Sequence, residues 1–430
     1  MKLKLIVSGL ALAAAMGQSA MAETVRIAEH RQARIDAMNA VVPALEEATG
    51  VDIEVVEYPG PDREYITKLL TELSAGTGPD IFSLPSSGEI VDFASAGYLT
   101  DVTDMVKGSE AWSQMYDIAK DLSVNPDGKI YIMPVTLAMQ QFYYRKDLLE
   151  EAGISTEQPE SWQDLLDRAI EAKEKTGKYS LLMPMGVTWG GGSYIESFRL
   201  LIAQSSTPEL VNEDGTFNLT SDGVREVFEF YQSMVDNKLL PVDPLLGPDP
   251  WVIPKYEMFP DGELLITTCG SWCYIFDWGS QSKTPIPDVE NVVGTWQVPH
   301  VNDGDTHVLV GVNHPWMVSS AAVDRDAAVK VLEAMGGIAT EVSYAQKSGN
   351  LPARKDAIDS PEFQELTPLV GLLDQLEDGV SVETAPGFST VMEGIGRGTE
   401  AILLGNADAA GAQQILIDYV KNTLGDDMVK

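Results

Sequence analysis

Two stretches of the 430-residue chain crowd together side chains that could do chemistry: Trp189-Gly190-Gly191-Gly192-Ser193 and Cys269-Gly270-Ser271-Trp272-Cys273. In the first, a flat aromatic face stands beside a flexible backbone ahead of a helical run, so open amides and an apolar ring could meet one ligand. As a phosphate cradle it is weak, because no Gly-Lys-Ser or Gly-Lys-Thr follows. In the second, two thiols four residues apart allow a disulfide in an oxidising compartment. The alternative is a pair of buried small apolar side chains; no histidine cluster lies nearby in sequence to suggest a metal. Trp316 stands beside Pro315, and Trp251 lies in a proline-rich stretch. Any one tryptophan could be core packing. Together they lean towards a carbohydrate-like ligand, because aromatic faces stack on the C–H patches of sugar rings while carboxylates and amides take the hydroxyls.

Other chemistries find little support. His30, His300, His307 and His314 are dispersed, and neither Gly-x-Ser-x-Gly nor His-Glu-x-x-His occurs. Gly394-x-Gly396-x-Gly398 has no strand before it and the wrong spacing for a dinucleotide. Any pair drawn from 65 acidic residues is most simply solvated surface. No catalytic residue, metal or cofactor is therefore expected. Those 65 acids face 29 basic residues, a formal charge of -36, which argues against nucleic acid or anionic lipid as a partner.

The elements that would hold these residues alternate. Val25 and Ile27 mark a strand, and Ile35 to Leu45 a helix that stops near Gly50. Residues 51–56 read as a second strand, 65–75 as a second helix, and Asp80-Ile81-Phe82 as the start of a third strand; this order means a parallel sheet. Gly76-Thr77-Gly78-Pro79-Asp80 could leave backbone amides open to a ligand or simply cap a helix. The pattern resumes with a capping box at Ser161, a helix ending near Gly177 and a strand at Leu181-Leu182-Met183, which predicts a second α/β lobe. Val224 to Val235 is helical, the prolines from 241 to 254 forbid a long helix, and 264–266 and 308–310 read as buried strands. Further helices are expected over 327–335 and 415–424. Ahead of all this, Lys2 and Lys4, an apolar run from Leu5 to Met16 and Ala20-Met21-Ala22 form a cleavable secretory leader over 1–22.

The chain resembles a family 1 extracellular solute-binding protein, the secreted receptor of a bacterial ABC importer, and most of all its sugar-binding, maltose-binding-protein-like branch. The resemblance is carried in order by Gly76 to Phe82, Asp127-Gly128-Lys129-Ile130-Tyr131 with Pro134, Tyr143 to Ile154 and Ser161-Trp162. It continues through Phe259-Pro260-Asp261-Gly262, Gly270-Ser271-Trp272 and Ser348 to Asp356. It implies an α/β, two-lobed type II periplasmic-binding-protein fold, with a hinge and a ligand in the interlobe cleft. The N-terminal lobe would be 23–137 with 292–350, and the C-terminal lobe 138–291 with 351–430. Binding without turnover is implied, in a monomer of the periplasm that delivers a sugar, oligosaccharide or sugar alcohol to the transmembrane permease subunits. By position, the contacts would come from His30, Arg31, Asp80, Ser86, Ser87, Trp189, Gly190 and Trp272, with Asn313, Trp316 and Arg354 as weaker candidates. Arg354 could equally be a packing ion pair. The acidic balance would also suit a polyamine or other cationic solute, and a third reading is an exported carbohydrate-active enzyme using two carboxylates.

Overall fold

The computed structural model describes residues 24–58, 60–280, 282–302, 304–376, 379–382 and 384–430; the expected leader lies outside them. The first lobe begins β1 (Val25–Glu29), α1 (Gln32–Thr49), β2 (Ile53–Glu57), α2 (Asp62–Ser74), β3 (Ile81–Ser83) and α3 (Ser87–Ser95). Apolar residues recur at helical spacing in α1, and it stops where Gly50 takes φ 67° and its N–H returns to the Glu46 carbonyl. β1 pairs in parallel with β2 and β3, in register from Val25 opposite Ile53. β8 (Trp316–Val318) closes the sheet antiparallel to β3, giving the order β2-β1-β3-β8. Gly76-Thr77-Gly78 is a helix end, its Gly76 and Thr77 amides bonded back to Leu73 and Glu72, so these two are not open to a ligand.

The second sheet is built on β4 (Thr136–Arg145), which is buried along its whole length. Its first half pairs antiparallel with β7 (Leu309–Val312) and β9 (Leu351–Pro352), and its second half with β5 (Ile266–Gly270) and β6 (Val293–Trp296). Leu181-Leu182-Met183 does not become a ladder strand and makes only an isolated bridge from Leu182 to Thr267. Pro184 follows at once and has no N–H to extend a ladder. Around the sheet lie α4 (Trp162–Thr176), whose N-cap Ser161 accepts from the Asp164 amide, and α5 (Asp222–Asp236). α6 (Arg325–Met335), α7 (Ile338–Ser348), α8 (Phe388–Leu403) and α9 (Ala409–Leu424) complete the longer helices. No helix among the described residues is long and apolar enough to cross a membrane.

Candidate functional site

The carboxyl ends of β1, β2 and β3 open into one cavity of about 760 Å³, where open α/β sheets place their ligands. β1 delivers His30 and Arg31, the turn after β2 delivers Pro61 and Asp62, and the turn after β3 delivers Ser86. The opposite wall comes from three other segments of the chain. Trp189 and Gly190 come from the glycine-rich turn, Trp251, Lys255 and Tyr256 from the proline-rich stretch, and Trp272, Phe276 and Asp277 from the turn after β5. Gly190 has φ 60°, which a side chain would strain.

The first wall is polar because a buried charge network lies under it. Glu29 accepts from the His30 and Arg31 amides, from Arg34 Nε at 2.8 Å and from Ser83 Oγ. Burial alone would raise its pKa, but the Arg34 guanidinium and His30 hold it well below the usual carboxylate range. Asp62 takes His30 Nε2 at 2.7 Å and Arg31 at 2.5 Å. Despite burial, Arg31 and His30 lower its pKa. Burial pulls His30 down, yet its bonds to Asp62 and Glu29 outweigh that and raise it. His30 stacks on Tyr65 with centroids 4.1 Å apart, which fixes the ring. His314 joins the wall with φ 47°, a rare conformation for a side chain, and burial followed by Arg34 pushes its pKa well down.

The second wall is aromatic over a second buried cluster. Cys269 and Cys273 are joined in a disulfide that spans Trp272. Asp277 Oδ2 lies 2.8 Å from Cys273 Sγ, and burial lifts its carboxyl to about 6 against the pull of Lys255. Lys255 Nζ binds Glu196 and stands 5.9 Å from the ring centroids of both Trp189 and Trp272. Each cation of the cavity wall has a carboxylate partner: Arg31 has Asp62, Arg34 has Glu29, Arg63 has Glu393 and Lys255 has Glu196. Glu89, beside Ser86, is raised to about 8 by burial and the nearby Asp62 charge.

Of the residues expected from sequence, His30, Arg31, Ser86, Trp189, Gly190, Trp272 and Asn313 line this one cavity. The structure places the other four elsewhere. Asp80 accepts from the Arg26 and Val323 amides and ties β1 to the 319–323 turn. Ser87 faces a separate small hollow with Ile90 and Leu122. Trp316 is fully buried against Tyr344, with Arg34 over its ring. Arg354 is an ion pair with Glu110 and Asp356, and it also donates to the Gly336 carbonyl.

The family model described as bacterial extracellular solute-binding protein matches residues 40–369. The chain belongs to that family. A binding protein of Brucella abortus is 24% identical over 349 residues, covering 80% of this chain and 79% of that one. The arabinooligosaccharide-binding protein of Halalkalibacterium halodurans is 23% identical over 334 residues, 76% of this chain and 70% of its own. Among solved structures, maltose-bound MalE3 of T. maritima superposes with a TM-score of 0.76 at 18% identity, over 93% of this chain and all of that one. The architecture is thus the two-lobed α/β periplasmic-binding fold. A solute-binding protein holds its ligand without converting it, as expected from the sequence.

Sequence reasoning did not single out Glu29, Arg34, Asp62, Glu196, Lys255 or Asp277 of this solute-binding protein. Several stand near flagged residues, Glu29 and Arg34 on either side of His30 and Arg31, Glu196 three after Ser193, Lys255 four after Trp251 and Asp277 four after Cys273. Pairings such as Asp62 with Arg31 and Glu196 with Lys255 bring together residues far apart along the chain, and nothing in the local pattern shows which partner each has.

Proposed function

We propose that the protein is the receptor of an ABC importer, exported to the periplasm, that binds a neutral sugar, oligosaccharide or sugar alcohol and delivers it to the membrane permease. The ligand would lie in the cleft between a lobe of 23–137 with 292–350 and a lobe of 138–291 with 351–430, closing on it by a hinge motion. The observation that carries this reading is the two-sided cavity: Trp189, Trp251 and Trp272 on one wall, and His30, Arg31, Asp62 and Ser86 on the other. Aromatic faces suit the apolar faces of sugar rings, and the polar wall suits their hydroxyls. A charged ligand is less well served. The cations are already paired, and burial favours the neutral acid at Glu89 and, in part, at Asp277. A cavity of 760 Å³ has room for more than one ring. The names of the relatives agree, one binding arabinooligosaccharides and one structure holding maltose.

A thermal-shift series with maltotriose, raffinose, lactose, sorbitol and spermidine tests the reading, because a ligand that binds only the folded state raises Tm. A neutral sugar or polyol is expected to raise it. A shift with spermidine alone would overturn the proposal.

A further inference from the structure

Three segments of the aromatic wall meet at a single buried charge. Lys255 belongs to the helical turn Pro254–Met258, and its side chain is 5% exposed. Its carbonyl accepts from Trp278 Nε1 at 3.0 Å, so the backbone is held as well. Its ammonium binds the carboxylate of Glu196, seven residues after Trp189. It also stands 3.6 Å from Cys269 Sγ and acts on Asp277, five residues after Trp272. Both tryptophan rings lie within the range in which a cation is attracted to an aromatic face.

We propose that Lys255 is a positioning residue that fixes Trp189 and Trp272 relative to one another, so that the two rings meet a ligand as one preset surface. The proposal rests on the reading of this cavity as a sugar site. Burying an ammonium is costly, and an apolar side chain of similar volume would fill the space at no such cost. What an apolar side chain would lack is the simultaneous hold on the segment of Trp189 through Glu196 and on the segment of Trp272 through the approach of the ammonium to Cys269 Sγ and to the Trp272 ring. A surface ordered before the ligand arrives loses less on binding than one that must be ordered by it.

Lys255→Met alone would leave Glu196 buried without its cation, so the comparison is made in a Glu196→Gln background. The probes are maltotriose, raffinose and lactose, titrated by calorimetry into Glu196→Gln and into Lys255→Met/Glu196→Gln. The double variant is expected to bind at least tenfold more weakly than Glu196→Gln at a similar Tm. In protein labelled with 5-fluorotryptophan, the resonances of Trp189 and Trp272, assigned with Trp189→Phe and Trp272→Phe, are expected to move while that of Trp112 stays. Affinities within twofold together with unmoved resonances would overturn the proposal. If neither variant binds any of the sugars, titration of the wild type with the same sugars separates an effect of Glu196→Gln from a failure of the sugar reading for them, and the fluorine resonances of the unliganded protein still decide the role of Lys255.

Discussion

Trp272 is held from several sides at once. Its ring lies over Gly270, where a Cβ would collide with it, a disulfide closes the loop that carries it, and Lys255 stands behind it. A rigid aromatic in a cavity is the type of residue that carries a large share of binding free energy. Trp272→Ala is expected to cost about 2 kcal/mol, roughly thirtyfold in Kd, read by calorimetry with the sugar that gives the largest thermal shift. The charges of the opposite wall set a pH dependence. His30 has a raised pKa in the folded state, so its contribution to stability is complete below its unfolded value of about 6.5 and is lost as pH rises through the folded value. His314 has a lowered one and works in the opposite sense, costing stability as pH falls below about 6.5. Denaturant midpoints followed against pH should fall on the alkaline side for wild type, and less steeply for His30→Gln. An identical alkaline limb in the variant would remove His30 from the network. Trp189 and Trp272 were legible because their types and neighbours are unusual in sequence, whereas His30 and Arg31 were reached only through their position in the family resemblance. Glu29 and Asp62 were not, because a carboxylate among 65 gives no local sign of having a buried partner.

Elements were easier to read than their pairings. Caps and periodicity placed α1, α4 and α5, since Gly50, Ser161 and Gly177 act through bonds within a few residues. The antiparallel sheet around β4 was not legible, because its partners lie more than a hundred residues away and one strand serves four of them. The glycines at 394, 396 and 398 show the same limit. They are a packing surface of α8: a Cβ at Gly394 would fall 2.6 Å from Leu416 of α9, and one at Gly398 2.9 Å from the ring of Phe228 in α5. Gly398→Val is therefore expected to destabilise the protein by about 1–3 kcal/mol through overpacking, seen as a lower urea midpoint. A midpoint equal to wild type would show that α8 can move aside.

Across the whole molecule, α3 and α8 meet beside the cavity. Asp92 accepts from the Gly387 amide at 2.6 Å and from Ser389 Oγ, Ser86 Oγ lies 3.8 Å from Met392 Sδ, and Arg63 pairs with Glu393. Asp92 thus caps a helix of one proposed lobe from the other, and in the proposed hinge motion its bonds must break when the lobes part, so they favour the arrangement described here over an open one. Asp92→Ala is expected to raise Kd at least tenfold, since hydrogen bonds to a charged group are worth about 1.5–3 kcal/mol each and about 1.4 kcal/mol is tenfold, while the unliganded Tm changes little. An unchanged Kd would mean that closure does not depend on this contact. The two-lobed architecture was legible from the resemblance in motif order. The meeting of α3 with α8 was not, since a carboxylate capping a helix 295 residues away leaves no trace in either segment.

The central claim, a cavity made for a neutral sugar, is tested most directly by calorimetric titration of the wild-type protein with the best sugar of the series and with spermidine, each at low and high salt. The account predicts saturable binding of the sugar that hardly changes with salt, with the sugar recovered intact, and no comparable heat from spermidine. Binding of spermidine alone, weakening as salt rises, would contradict it.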